Sequence, residues 1–548
     1  MTSRRVQGVT VFAASFFLVL LILVGACSPA TPQVSPPPAP SVPAAAPPAA
    51  PATPAAADVA SAPASPKAET AVPTTSGAVQ VCRGAGQWFP ARAEALASVV
   101  DIYLSASTVE LAQPPAALIV PHAGYEFSGI TAGKTFATVK GRTYKRVIVM
   151  GLSHHVLLRG ASVLRVDAYE TPLGRIPADA EAREALLKCA VVSEQPAAHA
   201  KEHSAENQFP FLQRALGNFK MVELLVGEMT PAQRSTLADA LRPLLDSATL
   251  LVVSSDFTHY GPNYQYVPFT DHIPENLAAL NNAALQQIFA VDVPGWDGYL
   301  AQTHDTICGQ AGIGLLLKIM EPMDDMRGTS VATDYSGRVT GDWTNAVTYS
   351  GIVFWHAGDG LTKAEQKTLL SLARDTAAAF VKTGRAPEFD PAKYALTPAL
   401  KAPGAAFVTL KNGGELRGCI GHIVAIEPLY QSVMENACQA CRDPRFTARP
   451  IKEVEVPALS VEISVLSPMR RLMDVQKVQV GRDGLLMSRG RQHGLLLPQV
   501  PGEQGWNREQ FLEGLCQKAG LPRDAWKDPQ TEIFRFSAQV FGEEKPEK

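Results

Sequence analysis

Residues 249–259 read Thr-Leu-Leu-Val-Val-Ser-Ser-Asp-Phe-Thr-His, an apolar run that gives way at once to polar, chemistry-bearing side chains. A short unbroken run of Val and Leu is the pattern of a strand buried on both faces. Two other segments repeat the design. Ala116–Val120 runs into Pro121-His122-Ala123-Gly124-Tyr125, and Arg146–Gly151 runs into Leu152-Ser153-His154-His155. Met221–Val226 reads as a fourth strand, and Ala180–Cys189 and Pro231–Leu245 between them carry helical spacing. Strands alternating with helices predict an α/β domain with a largely parallel sheet. In open α/β sheets, ligands bind just beyond the carboxyl ends of the strands. If the three strands are parallel neighbours, His122, His154 and His259 converge on one crevice. A single histidine there would be an ordinary core or capping residue; three at the same place in three strands point to a site.

Two further segments fit the same crevice. Glu202-His203-Ser204-Ala205-Glu206 precedes Phe209-Pro210-Phe211 and places polar groups at a helix start. Thr306-Ile307-Cys308-Gly309-Gln310 precedes the apolar helical run Gly312–Met320. Cys308 then lies near a helix N-terminus, where the dipole favours thiolate. A buried, inert cysteine is the plainer alternative.

These motifs, in this order, resemble the Memo family: PHAGY, the Leu-Ser-His-His pair, EHSAENQFPF, VVSSDFTHY and DTICG. The resemblance spans most of residues 82–356. It implies a fold similar to class III extradiol dioxygenases, which are non-haem iron enzymes. It also implies metal ligands at His122, His154 and Cys308, with Asp256 and His259 as a nearby polar pair. One position departs from the family. Its opening His-Ala-Gly-x-Trp segment reads Gly84-Ala85-Gly86-Gln87-Trp88 here. Two imidazoles and a thiolate suit iron, with copper or zinc as alternatives, and leave a coordination position open. His259 or His155 would move protons near neutral pH, and Asp256 would orient a ring. The expected activity is that of an iron-dependent oxidoreductase or redox protein acting on an unknown small molecule or peptide. The alternative is a binding scaffold that keeps the dioxygenase-like fold without turnover.

From residue 361 the pattern changes to grouped strands with a few helices, which predicts α+β. Leu361–Thr383 is an amphipathic helix; Ala405–Leu410 and Glu415–Ile423 flank Lys411-Asn412-Gly413-Gly414 as a hairpin, with Asn-Gly as its turn signal. Leu459–Leu466 and Glu532–Val540 read as strands and Asn507–Ala519 as a helix. Leu416-Arg417-Gly418-Cys419-Ile420-Gly421, Asp443-Pro444-Arg445-Phe446 and Leu497-Pro498-Gln499-Val500 resemble the AMMECR family over about residues 361–543. Arg417 and Cys419 lie in that family's signature loop and form a candidate second site; the plainer reading is a tight backbone with Cys419 filling a gap. Cys438 and Cys441 share a helix face, as a redox pair or a fortuitous one. Memo and AMMECR domains together resemble proteins B and A of the AmmeMemoRadiSam system, which implies a radical-SAM partner.

The chain's start reads as an address. Arg4 and Arg5 precede the apolar run Val9–Val24, and Val24-Gly25-Ala26-Cys27 resembles a bacterial lipobox. The expectation is a signal peptide over residues 1–27, acylation of Cys27, and an exported lipoprotein on the periplasmic side, with Ser28 resembling the outer-membrane sorting pattern. Residues 28–78 are almost wholly Pro, Ala, Ser, Thr and Val and read as a disordered stalk reaching on the order of 100 Å. Globular domains are then expected at 79–358 and 361–544. A net charge of −3 over 548 residues gives no basic surface for nucleic acid.

Overall fold

The computed structural model describes residues 78–543, apart from 107, 112, 359 and 426. The signal, lipobox and stalk, with Cys27, lie outside the described residues. Among the described residues, no helix is long and apolar enough to cross a membrane.

Two large sheets, beside a small three-stranded one, organise the described residues. The first has nine strands. Its centre is four parallel strands in the order Pro115–Val120, Thr249–Ser254, Arg146–Gly151 and Lys220–Val226. All four were legible in the sequence to within a residue. The alternation of side chains explains why the runs are apolar without a break. Ile119, Ile148, Met150, Leu251 and Val253 face one side, where they meet residues such as Leu237 and Leu315 from the helices Pro231–Leu241 and Gln310–Met320. Leu118, Val120, Val147, Val149, Leu250 and Val252 face the other, against Phe136 and Phe211 from the helices Tyr125–Ala137 and Phe209–Leu216. Each such side chain, removed from water, contributes about 1.5–3 kcal/mol before entropy is charged. The parallel expectation holds at the centre and gives way on both sides, at Ala161–Ser162, which runs antiparallel to Lys220–Val226, and at the opposite edge. There, Ala346–His356 runs antiparallel to Pro115–Val120 and pairs along its length with Met326–Tyr335.

The second sheet has seven strands, all antiparallel. The helices Lys363–Thr383 and Leu429–Cys441 pack on it, giving the α+β layout. The expected hairpin is present, but its turn centre is Gly413-Gly414; Asn412 is the last paired residue, opposite Glu415. The two lobes belong to one compact unit. Arg470 donates to Met326 O at 2.7 Å, Arg327 to Leu466 O at 3.0 Å, and Arg535 pairs with Asp324 at 2.6 Å.

Candidate metal centre

The ends of three parallel strands, plus one helix start, deliver the site. Beyond Val120 comes His122, beyond Gly151 comes His154, beyond Ser254 come Asp256 and His259, and Cys308 lies two residues before the helix Gln310–Met320. One ligand atom each from His122, His154 and Cys308 falls within 4.8 Å of the others. The His122 Nε2 to Cys308 Sγ distance is 3.3 Å.

Hydrogen bonds decide which ring nitrogen is free. The Ser254 hydroxyl donates to Ser204 O at 2.5 Å and accepts from Gln208 Nε2 at 2.9 Å. Its one proton is spent, so it accepts from His122 Nδ1–H at 2.9 Å, and the Nε2 lone pair is left facing Cys308. Glu202 does the same for His154. This carboxylate is 1% exposed. It accepts the backbone N–H groups of His154 (2.6 Å), His203 (2.9 Å) and Ser204 (2.7 Å), and His154 Nδ1 at 2.9 Å. Burial opposes its charge, but the imidazole of His154 and the backbone donors hold its carboxyl well below the usual range. Burial first, then His154, drives the pKa of His122 down to about 3, so its ring is neutral, as ligation requires.

Cys308 corrects the sequence reading. Its sulfur does lie by a helix start and accepts Asp256 N–H at 3.1 Å. Burial, then the Asp256 carboxylate, nevertheless pushes the thiol well above its ordinary value. The dipole does not win; an ion of positive charge is needed to make this sulfur a thiolate.

Asp256 acts on backbone rather than on a ring: its Oδ1 accepts His122 N at 2.8 Å and Ala123 N at 3.3 Å. His259 is fastened to the Cys308 segment. Its N and O bracket Thr306 Oγ1 at 2.9 and 2.8 Å, and its Nδ1 donates to Thr306 O at 3.0 Å, leaving Nε2 free. Asp305, buried beneath it, takes Tyr299 Oη at 2.5 Å and Thr258 Oγ1 at 3.1 Å. His155 is exposed on the turn after His154 and makes none of these contacts.

His203, expected only as a polar group at a helix start, joins the site. Its ring stacks on Trp88 with centroids 3.9 Å apart and lies 4.9 Å from that of His154. Glu202, in the Glu-His-Ser segment, is the acceptor that sets His154, and nothing local in the sequence announces that role. Gly84, where the Memo family commonly has histidine, leaves no room for one: a Cβ there would sit 2.8 Å from the Phe89 ring and 3.2 Å from Asn207 Oδ1. Its N–H, with that of Arg83, is held by the Oε2 of the Glu206 carboxyl group.

In the second lobe, Arg417 is 4% exposed and committed to Glu455 at 3.1 Å through both carboxylate oxygens, and to Arg449 O. Cys419 accepts from Thr409 Oγ1 at 3.2 Å, while its N–H donates to Asp443 at 2.9 Å. A Cβ on Gly418 would lie 2.0 Å from Ala440 O, so the tight-backbone reading of this loop has a direct cause. Cys438 and Cys441 sit on one helix as free thiols, and burial raises them to about 11 and about 12.

Comparison with known proteins agrees with both motif sets. A family model described as Memo-like protein matches residues 81–353, and one described as AMMECR1 matches residues 370–541. Protein MK0488 of Methanopyrus kandleri is 42% identical over 200 residues, covering 35% of this chain and 94% of that protein. A protein of Thermococcus gammatolerans is 42% identical over 192 residues, covering 32% and 90%. The crystal structure of uncharacterised protein PH0010 from Pyrococcus horikoshii shares 40% identity, covers 32% of this chain and 91% of that one, and has a TM-score of 0.31.

Glu206 supplies a pH test of the site's floor. Burial, then the carboxylate of Glu223, raises its pKa to about 8. The folded chain therefore holds a proton on Glu206 between roughly pH 4.3, the unfolded value, and pH 8, and stability falls as pH rises through that window. Glu206→Gln is expected to flatten this fall, so that its urea midpoint exceeds that of the parent at pH 8 but not at pH 4.5. Parallel pH profiles for the two proteins would contradict the assignment.

Proposed function

Because the chain belongs to the Memo-like family through residues 81–353 and to the AMMECR1 family through residues 370–541, we propose that its first lobe is a metal-dependent redox protein with His122, His154 and Cys308 as ligands. The observation that carries the reading is the fixed tautomer of both rings. Ser254 and Glu202 each occupy an Nδ1, which leaves both Nε2 lone pairs bare, and one ligand atom of each histidine lies within 4.8 Å of the Cys308 sulfur.

These donors fit a first-row transition ion. Iron is the first candidate. Copper is its rival because the sulfur is soft and no carboxylate completes the set: Glu202 is spent on four N–H groups, and one Asp256 oxygen is spent on backbone. When bound, such an ion supplies one-electron exchange and polarises a substrate atom. The chain's own contribution is positional and protonic. Asp256 fixes the backbone of His122, Thr306 fixes His259, and His259 offers a free Nε2 as proton acceptor beside the site. His203, stacked between Trp88 and His154, backs the ring of His154 and limits its rotation. A thiol hydrolase built on Cys308 is a poorer reading, since burial holds the thiol protonated and His122, at about pKa 3, is a weak base. A radical-SAM protein is proposed as partner on the pairing of the two families alone.

Elemental analysis of the full chain, purified without added metal, tests the reading. About one iron or copper per chain is expected, with loss in His122→Ala and in Cys308→Ala. Stoichiometric metal retained in both variants, or zinc alone in the parent, would overturn it. We propose from the amino-terminal sequence that the chain is exported and acylated at Cys27. Cys27→Ala is then expected to lose palmitate label and leave the membrane fraction; unchanged fractionation would defeat the proposal.

A further inference from the structure

Where the strand Glu415–Gly421 ends, the second lobe gathers three side chains of metal-ligating type. His422 follows the strand, Glu427 lies in the loop after it, and Glu435 belongs to the helix Leu429–Cys441. One ligand atom from each lies within 4.8 Å of the others. The His422 and Glu427 side chains are 18% and 25% exposed, and Glu435 is exposed, so solvent and its ions reach the cluster.

Two carboxylates meet here with one imidazole between them. Among the described residues, no Lys or Arg lies within ion-pair distance of Glu427 or Glu435. Arg442, two turns along the helix from Glu435, is turned to Gln439 Oε1 at 3.0 Å and to the Phe380 ring. Glu427, against burial and with Glu435 adding to it, holds the pKa of His422 above its ordinary value. A protonated His422 offsets one of the two negative charges; a neutral one offsets neither. A divalent cation offsets both.

The spacing fits an ion better than a proton. His422 Nδ1 stands 3.6 Å from Glu427 Oε1, which is too far for a hydrogen bond, and that oxygen has no hydrogen-bond partner. Two donors that share a tetrahedral ion at about 2.1 Å stand roughly 3.4 Å apart. Asn436, 0% exposed, lies against the ring. Its Nδ2 comes within 3.4 Å of His422 Nδ1, but its two protons have closer acceptors in Ser432 O at 2.8 Å and Ala406 O at 3.3 Å. Nδ1 therefore keeps a lone pair for an ion, and the Oδ1 of the same amide has no partner.

We propose that His422, Glu427 and Glu435 form a second divalent-metal site, for a manganese- or zinc-class ion. One imidazole and two carboxylates are harder donors than the two imidazoles and sulfur of the first lobe, so the two lobes would select different ions. Three protein ligands leave the remaining positions to water on the exposed side. The ion would tie a strand end, a loop and a helix together beside the segment Arg417-Gly418-Cys419. The site stands whether or not the first lobe binds metal.

The test is a titration of the full chain carrying Cys308→Ala with Mn²⁺, read by the electron paramagnetic resonance of the free ion; the substitution takes the first lobe's sulfur out of the measurement. About one Mn²⁺ per chain is expected, displaced by Zn²⁺. Glu435→Gln, at an exposed position, should fold and should weaken binding about tenfold or more, because the site loses one of two anionic ligands. His422→Ala should abolish binding, and Glu427→Gln replaces it if that variant does not fold. Zn²⁺ bound without Mn²⁺, read by competition with a chromophoric chelator and lost in the same variants, would keep the site and assign it to zinc. Saturable binding of neither ion would overturn the proposal, as would binding that Glu435→Gln and Glu427→Gln leave unchanged. Binding that His122→Ala removes and Glu435→Gln does not would also overturn it, while leaving the first lobe's ligand set intact.

Discussion

One hydroxyl proton and one carboxylate set the chemistry of this site. Ser254 Oγ must give its proton to Ser204 O, so it can only accept from His122 Nδ1. Glu202, sealed from solvent, can only accept, and it takes His154 Nδ1. Both imidazoles are thereby locked with Nε2 bare. Without these two acceptors each ring could turn or change tautomer, and proximity to Cys308 would not amount to a candidate ligand set.

The rest of the first lobe holds those acceptors still. Ser254 ends a central strand, and Ser204 and Glu202 belong to the segment that leads into the helix Phe209–Leu216. Asp256 ties the loop after one strand to the loop after its neighbour by accepting His122 N and Ala123 N. Thr306 and Gly309 lace the Cys308 segment to His259 and Ser255. The sheet's apolar faces supply the rigidity, and the polar residues at its carboxyl edge convert it into directed lone pairs. The same burial raises the thiol of Cys308, so the sulfur on its own is not a free nucleophile.

The sheet centre was legible because buried parallel strands write themselves as unbroken apolar runs, and the histidines were legible because each followed such a run. What was not legible depends on contacts between distant segments. Of the antiparallel pair Met326–Tyr335 and Ala346–His356, the first is half-buried along most of its length and the second is buried up to its last residue, a difference only the pairing explains. His203 and Trp88 are 115 positions apart in sequence, and nothing local announces their stack. Helix-start position alone favours a thiolate at Cys308; the burial and the Asp256 carboxylate that raise it instead come from segments distant in sequence. In the second lobe the signature loop named the family, yet Arg417 is turned inward to Glu455, which no spacing rule conveys.

X-ray absorption at the metal edge of the purified full chain addresses the central claim most directly, because it reads the donor atoms rather than the amount of metal. The account predicts one sulfur at about 2.3 Å together with two imidazole nitrogens at about 2.0–2.1 Å, distances taken from zinc sites with the same donors. A shell of light oxygen and nitrogen scatterers alone, with no sulfur, would contradict it.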